Sequence, residues 1–112
     1  MEPSRIEATA IASCGDWMAT VDRREGDSVI HSEIYLKIWR WDRPTGAWTL
    51  NTRIDRPHGV ERVTDVAFSP VGLDSRWFLL VTTGEDGNVK MWRFRESKDQ
   101  GECLFVFFMY MC

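Results

Sequence analysis

Apolar and polar residues alternate with a period of two over most of this chain, the spacing of half-buried β-strands. In WMATVDRR, Trp17 to Arg24, the residues Trp17, Ala19 and Val21 fall on one face and Met18, Thr20 and Asp22 on the other. EIYLKIWRWD, Glu33 to Asp42, sets Ile34, Leu36, Ile38 and then Trp41 on one face against Tyr35, Lys37 and Trp39. Bulky residues on both faces predict a strand covered on both sides. The connection between these two strands, EGDSVIHS from Glu25 to Ser32, breaks the alternation and reads as a long loop. Ahead of them, the small apolar run ATAIAS, Ala8 to Ser13, stops at the turn signal Cys14-Gly15-Asp16 and reads as an inner strand. Behind them, Arg43-Pro44-Thr45-Gly46 reads as a turn, and WTLNTRID, Trp48 to Asp55, as an outer strand whose Asn51, Arg53 and Asp55 suit a solvated edge. Pro57 stops the ladder, because proline has no N–H to donate.

The pattern then begins again. VTDVAFSP, Val63 to Pro70, reads as a strand, and FLLVTTGEDGNVKMW, Phe78 to Trp92, as two strands joined by an Asp-Gly hairpin turn. Together these elements predict two adjacent antiparallel sheets with almost no helix.

Four residues of the second half stand at a specific spacing. His58 precedes the first strand, Thr82 lies four residues before Asp86, and Trp92 lies six after it. In this the chain resembles the WD-repeat family, whose blades carry a His before strand a, a Ser or Thr in strand b, an Asp in the b-to-c turn and a Trp in strand c. The resemblance implies an all-β fold: two antiparallel four-stranded blades of an incomplete WD-repeat β-propeller. Residues 1–57 would form a divergent blade, 58–95 the first three strands of a regular one, and 96–112 a polar linker with an apolar tail. Propellers close with four to eight blades, and a repeat needs neighbours to bury its faces. Two blades therefore belong to a larger assembly.

The resemblance also implies a structural hydrogen-bond network of His58, Thr82, Asp86 and Trp92. Asp86 would accept from the turn backbone and from the imidazole, the imidazole would bond the Thr82 hydroxyl, and that hydroxyl would take the Trp92 indole N–H. Each polar group in a dry blade then has a partner. A His, a Thr and an Asp within reach of one another also suggest a hydrolytic triad, but a brace exposes no nucleophile. Two departures from the family pattern stand out: Arg93 follows Trp92 where an Asp is usual, and His58-Gly59 reverses the usual order. The first blade departs further, with no His before its first strand and a long loop in place of the Asp-Gly turn, although Trp39 matches the position of Trp92.

Composition narrows the function classes. Six tryptophans in 112 residues imply packed surfaces. The net charge of −3 is spread evenly: Met1 to Pro57 carries eight basic and nine acidic residues, and His58 to Cys112 six and eight. Neither half has the basic footprint of a nucleic-acid binder. GEDGN is a hairpin turn and not a phosphate-cradling loop, having no following helix and no Lys-Ser pair. Cys14, Cys103 and Cys112 have no C-x-x-C spacing and no His at ligand distance, so neither a metal site, a disulfide framework nor a cofactor is expected. The amino terminus lacks the pattern of a signal peptide, and the expected compartment is a reducing one, cytosol or nucleus.

The divergent blade, together with the more regular one after it, resembles nucleolar WD-repeat subunits of the small-subunit processome. That resemblance implies a non-enzymatic scaffold in processing of the small-subunit ribosomal RNA precursor, linked to transcription by RNA polymerase I, in the nucleolus. Its partners would be other propeller subunits and assembly factors, with the precursor RNA reached through the complex, and neither a membrane nor a small-molecule substrate. The candidate interaction surface is the b-to-c loop with Arg24, Asp27 and His31, together with Trp41 and Trp48. A competing use of Trp41 and Trp48 is base stacking beside Arg40, Arg43, Arg53 and Arg56; the remaining alternatives are a generic scaffold of another pathway and an incomplete product with no independent function. The tail CLFVFFMYMC, Cys103 to Cys112, is far too short to span a bilayer. It reads as an out-of-frame or alternatively spliced end, or else as strand d of the second blade.

Overall fold

The computed structural model describes residues 3–69, 77–96 and 103–106. Eight strands follow one another: β1 (Arg5–Ile11), β2 (Trp17–Arg24), β3 (Glu33–Asp42), β4 (Ala47–Asp55), β5 (Val63–Phe68), β6 (Trp77–Gly84), β7 (Val89–Glu96) and β8 (Cys103–Val106). They form two four-stranded sheets in chain order, β1-β2-β3-β4 and β5-β6-β7-β8, with every pair antiparallel. No helix occurs among the described residues. The fold is all-β, two blades of a propeller that needs four or more to close.

The core lies between the sheets. Ala19, Val21, Ile34, Leu36 and Ile38 share the inner face of the first sheet, and Val63, Val66, Leu80 and Trp92 meet them from the second. Ala8, Ala10 and Ile54 extend the first set and Phe68 the second. The small residues of β1 let β5 approach closely, and Arg62, just ahead of β5, forms an ion pair with Glu7 of β1.

A tight corner joins the sheets. Arg56 is the one non-glycine residue with a left-handed backbone among those described, at φ 50°. Its N–H extends the β3–β4 pairing by donating to the Ile34 carbonyl at 2.8 Å, and its own carbonyl accepts from Gly59 N–H at 3.0 Å. The chain therefore reverses around Pro57 and His58, both of which end up buried. In the β6–β7 hairpin, Gly87 adopts φ 79°, a conformation that glycine reaches without the Cβ clash other residues suffer.

Three expectations need correction or completion. The first strand was placed at Ala8 to Ser13 on its apolar content, but β1 starts at Arg5 and ends at Ile11. Its polar start is held by pairing of Arg5 with Arg23 and Ile6 with Asp22, with a bulge at Glu7, while the Ala12 carbonyl accepts the turn bond from Gly15 N–H at 2.9 Å. Trp41 does not continue the buried Ile34, Leu36, Ile38 face. Strict alternation puts it with Trp39, and it is half-buried, packed edge-on against its cross-strand partner Trp48 with ring centroids 5.2 Å apart at 67°. In the tail, Cys103–Val106 pairs with β7 in the position of a fourth strand, Arg93 opposite Val106 and Glu96 opposite Cys103. Residues 97–102 and 107–112, like 70–76, lie outside those described.

Candidate functional site

The corner delivers the His58 side chain beneath the second sheet. There β6 supplies Thr82, the hairpin turn supplies Asp86, and β7 supplies Trp92. His58 Nδ1 lies 3.0 and 3.2 Å from the two Asp86 carboxylate oxygens, and its Nε2 lies 2.8 Å from Thr82 Oγ1. The Trp92 indole N–H donates to the same Thr82 oxygen at 2.9 Å.

These distances accommodate one proton arrangement for a neutral imidazole. Nδ1–H donates to Asp86, the Thr82 hydroxyl donates to the bare Nε2, and the hydroxyl oxygen accepts from Trp92. The chain of donors runs one way, from Trp92 through Thr82 and His58 to the carboxylate. Asp86 also accepts from the Asn88 backbone N–H at 3.0 Å and from the Asn88 side-chain amide at 3.2 Å. Burial pushes the Asp86 carboxyl up, but the hydrogen bonds it accepts from the Asn88 backbone, from His58 and from the Asn88 side chain outweigh it, so its pKa lies below the ordinary carboxylate value. With Thr82 wholly buried, its hydroxyl has no path to a substrate, and the arrangement braces the hairpin.

Three residues that complete this setting escape a reading by motif. Gly84 faces the imidazole: a Cβ there would stand 2.5 Å from His58 Cγ and Nδ1 and 2.7 Å from Asp86 Oδ1. The Lys90 ammonium donates to the Pro57 carbonyl at 2.5 Å, fastening β7 to the corner. In the first sheet, Thr20 accepts the Trp39 indole N–H at 2.9 Å, the same bond that Trp92 makes to Thr82. The two residues are 19 apart in the first sheet and 10 apart in the second, because the longer loop intervenes. Aligning the sheets on the tryptophans alone puts Val29 in the place of Thr82, and only the strand register brings Thr20 there. Thr20 itself pairs across the strands with Lys37, as Thr82 does with Lys90.

The candidate interaction residues fall into two groups. Arg24 ends β2, and with Asp27 and His31 of the loop that follows it lies at the start of the 10-residue β3, whereas Trp41 and Trp48 lie at its far end. A strand of that length separates them by roughly 25 Å, so they form no single patch. The loop is held by its own polar groups. Asp27 Oδ1 accepts from the backbone N–H of Val29 and Ile30, both at 2.8 Å, and those bonds lower its pKa. Ser32 Oγ accepts from Gly26 N–H at 3.2 Å and from Arg23 at 3.3 Å. Gly26 has no room for a side chain, since a Cβ would stand 2.1 Å from the Ile30 carbonyl oxygen. Three of the four arginines named beside the tryptophans are engaged within the chain: Arg43 pairs with Asp16 at 3.2 Å, Arg53 with Asp55 at 3.1 Å, and Arg40 lies over the Trp17 ring at 5.5 Å.

Comparison with known proteins places this geometry. A family model described as the second beta-propeller of WD repeat-containing protein 75 matches residues 2–107. The chain belongs to this WD-repeat family. WD repeat-containing protein 75 of Xenopus laevis is 33% identical over 92 residues, covering 80% of the chain, and that of Danio rerio is 38% identical over 96 residues, covering 82%. A protein of Schizosaccharomyces pombe called U3 small nucleolar RNA-associated protein 17 is 28% identical over 97 residues, covering 86%. The chain spans 11% of the length of each of these relatives. Both sheets thus lie within one WD-repeat propeller domain, a regular blade preceded by one whose network is reduced to Thr20 and Trp39.

Proposed function

We propose that the chain is a non-enzymatic scaffold piece of small-subunit ribosome assembly, acting in the nucleolus in processing of the ribosomal RNA precursor and linked to RNA polymerase I transcription. Its partners are other propeller subunits and assembly factors, and the precursor RNA is reached through them. The observation that carries this reading is the match of residues 2–107 to the WD repeat-containing protein 75 propeller, joined to a relative named for association with U3 small nucleolar RNA. The surfaces supporting it are the ordered loop with Arg24, Asp27 and His31 and the tryptophan pair Trp41 and Trp48. Protein contact is favoured over direct RNA contact, because the net charge is −3 and Arg43 and Arg53 are already paired with carboxylates.

The test is affinity capture from nuclear extract with the 112-residue chain as bait, followed by mass spectrometry. Recovery of small-subunit assembly factors, diminished by an Arg24→Ala, His31→Ala double variant, is the expected outcome. Recovery of proteins from an unrelated pathway, or of none, overturns the assignment.

A further inference from the structure

The β2–β3 connection differs from its counterpart in the second sheet in both length and character. β6 and β7 are joined by the four residues Glu85 to Asn88, all of them polar or glycine. β2 and β3 are joined by the eight residues Glu25 to Ser32, and at the tip of that loop stand Val29, 87% exposed, and Ile30, 60% exposed. Strand pairing ends at Arg24 opposite Glu33, so the tip projects past the end of the paired strands. The second sheet packs against a face of the first and leaves the tip exposed. Contact between blades, as seen here, does not reach the loop.

The tip is fixed from within. The Asp27 N–H donates to the Ile30 carbonyl at 2.9 Å, and Asp27 Oδ1 accepts from the N–H groups of Val29 and Ile30, both at 2.8 Å. Ser32 Oγ accepts from Gly26 N–H at 3.2 Å and closes the base of the loop. A partner that covers the tip therefore removes water from two aliphatic side chains, while the N–H groups of Val29 and Ile30 stay bonded. A loop that is already ordered also loses little conformational freedom on docking.

The charges around the tip select its occupant. Arg23 pairs with Glu25 at 2.8 Å and Arg24 with Glu33 at 3.4 Å. The loop itself carries Glu25 and Asp27 and neither Lys nor Arg, so it offers a phosphate backbone no unpaired cation. Two aliphatic residues beside carboxylates also fall far short of the basic amphipathic surface that binds a lipid layer. What they fit is an apolar pocket in a protein surface, of the kind that receives anchor residues.

We propose that Val29 and Ile30 are the anchor by which the chain docks onto a protein of the assembly, both side chains entering an apolar pocket of that partner. Asp27 and Ser32 hold the tip in shape, and the Arg24 pair with Glu33 holds the strand ends beneath it. This role rests on the reading of the chain as an assembly scaffold and adds to it the residues that make the contact.

The test is quantitative mass spectrometry of proteins captured from nuclear extract by the 112-residue chain and by a Val29→Ser, Ile30→Ser double variant. Capture is made at ordinary salt and at about 0.5 M salt, where charge contacts are screened. The wild type is expected to retain small-subunit assembly factors at both salt levels, and the variant to lose about tenfold or more of them, as truncation of an anchor does. A Ser28→benzoylphenylalanine chain irradiated in the same extract is expected to cross-link to one of the retained factors. Far-UV circular dichroism confirms that the double variant is folded; if it loses its β signal, Val29→Ser alone makes the same test. Equal recovery by wild type and variant, recovery that vanishes at high salt, or a Ser28 chain that cross-links to none of the retained factors overturns the anchor and leaves the assembly reading standing. Proteins of an unrelated pathway captured through the tip overturn the assembly reading and support the anchor, and recovery of nothing overturns both.

Discussion

The two sheets set a threonine and a tryptophan at the same register positions, joined by the same 2.9 Å bond, yet they surround that bond differently. In the second sheet the threonine also meets His58, which meets Asp86, which is held by Asn88. In the first sheet no imidazole is present, and the tryptophan is only half-buried. The difference follows the covering of the face. Where a neighbouring sheet excludes water, every donor and acceptor needs an internal partner, since an orphaned one costs about 1–3 kcal/mol. On the open face Thr20 is buried too, at 6% exposure, but the tryptophan bonded to it keeps part of its surface exposed.

The largest expected effect sets a leucine on the closed face against one on the open face. Leu80 is fully buried where the sheets meet, and Leu50 stands opposite Trp39 on the uncovered side. Leu80→Ala is expected to lower unfolding stability by about 2–5 kcal/mol, the range for truncating a core leucine. Leu50→Ala is expected to stay within about 0.5 kcal/mol, as exposed substitutions do. Denaturant titration followed by tryptophan fluorescence reads both. Equal losses would mean that the two faces are equally dry, and the contrast between the blades would disappear.

A smaller effect sharpens the comparison at its centre. Thr82→Val keeps the shape of the side chain but removes the acceptor of the Trp92 indole and the donor to His58 Nε2. Thr20→Val removes only the acceptor of the half-buried Trp39 indole. The expected losses are about 1–3 kcal/mol for the first and less than about 1 kcal/mol for the second. Thermal melts of the two variants beside the wild type decide the order. A Thr20→Val loss as large as that of Thr82→Val would show that the open face depends on its bond as much as the closed one.

Much of this arrangement was legible in the sequence. The strand limits of β2 and β3 follow from alternation alone, and Thr82, Asp86 and Trp92 are separated by fixed intervals along one hairpin. Features set by three-dimensional approach were hidden. Gly84 reads as an ordinary turn glycine until the His58 ring is seen against it. Thr20 is displaced from its tryptophan by an insertion that changes spacing without changing register. Grouping Trp41 with Ile34, Leu36 and Ile38 breaks strand parity, which puts it with Trp39. The two ends of the candidate surface cannot be joined from sequence, because a loop and a distant turn look equally exposed until the length of β3 separates them.

The most graded test concerns acid. Asp86 and Asp27 both have pKa values lowered in the fold, but by different neighbours: Asp86 lies in the network that joins the hairpin to the corner, and Asp27 bonds only to backbone within its own loop. For a carboxylate whose folded pKa is depressed, the unfolded chain binds more protons as pH falls through the window between the two values. The stabilisation is therefore fully present above the unfolded value of about 3.9 and is lost as pH falls through the lower folded value. Asp86→Asn removes that titration while keeping a side chain of similar shape. Its unfolding midpoint should accordingly vary less than that of the wild type between about pH 5 and pH 2. Asp27→Asn also removes a lowered carboxylate and should flatten the acid slope in the same direction, but by less, because the Asp27 side chain is exposed and bonds only within its own loop. Urea midpoints collected across that range for the three proteins separate the cases. A parallel acid slope for Asp86→Asn would mean that the carboxylate contributes nothing as an anion, and the contrast between a complete and a reduced network would then rest on the Thr82 bonds alone.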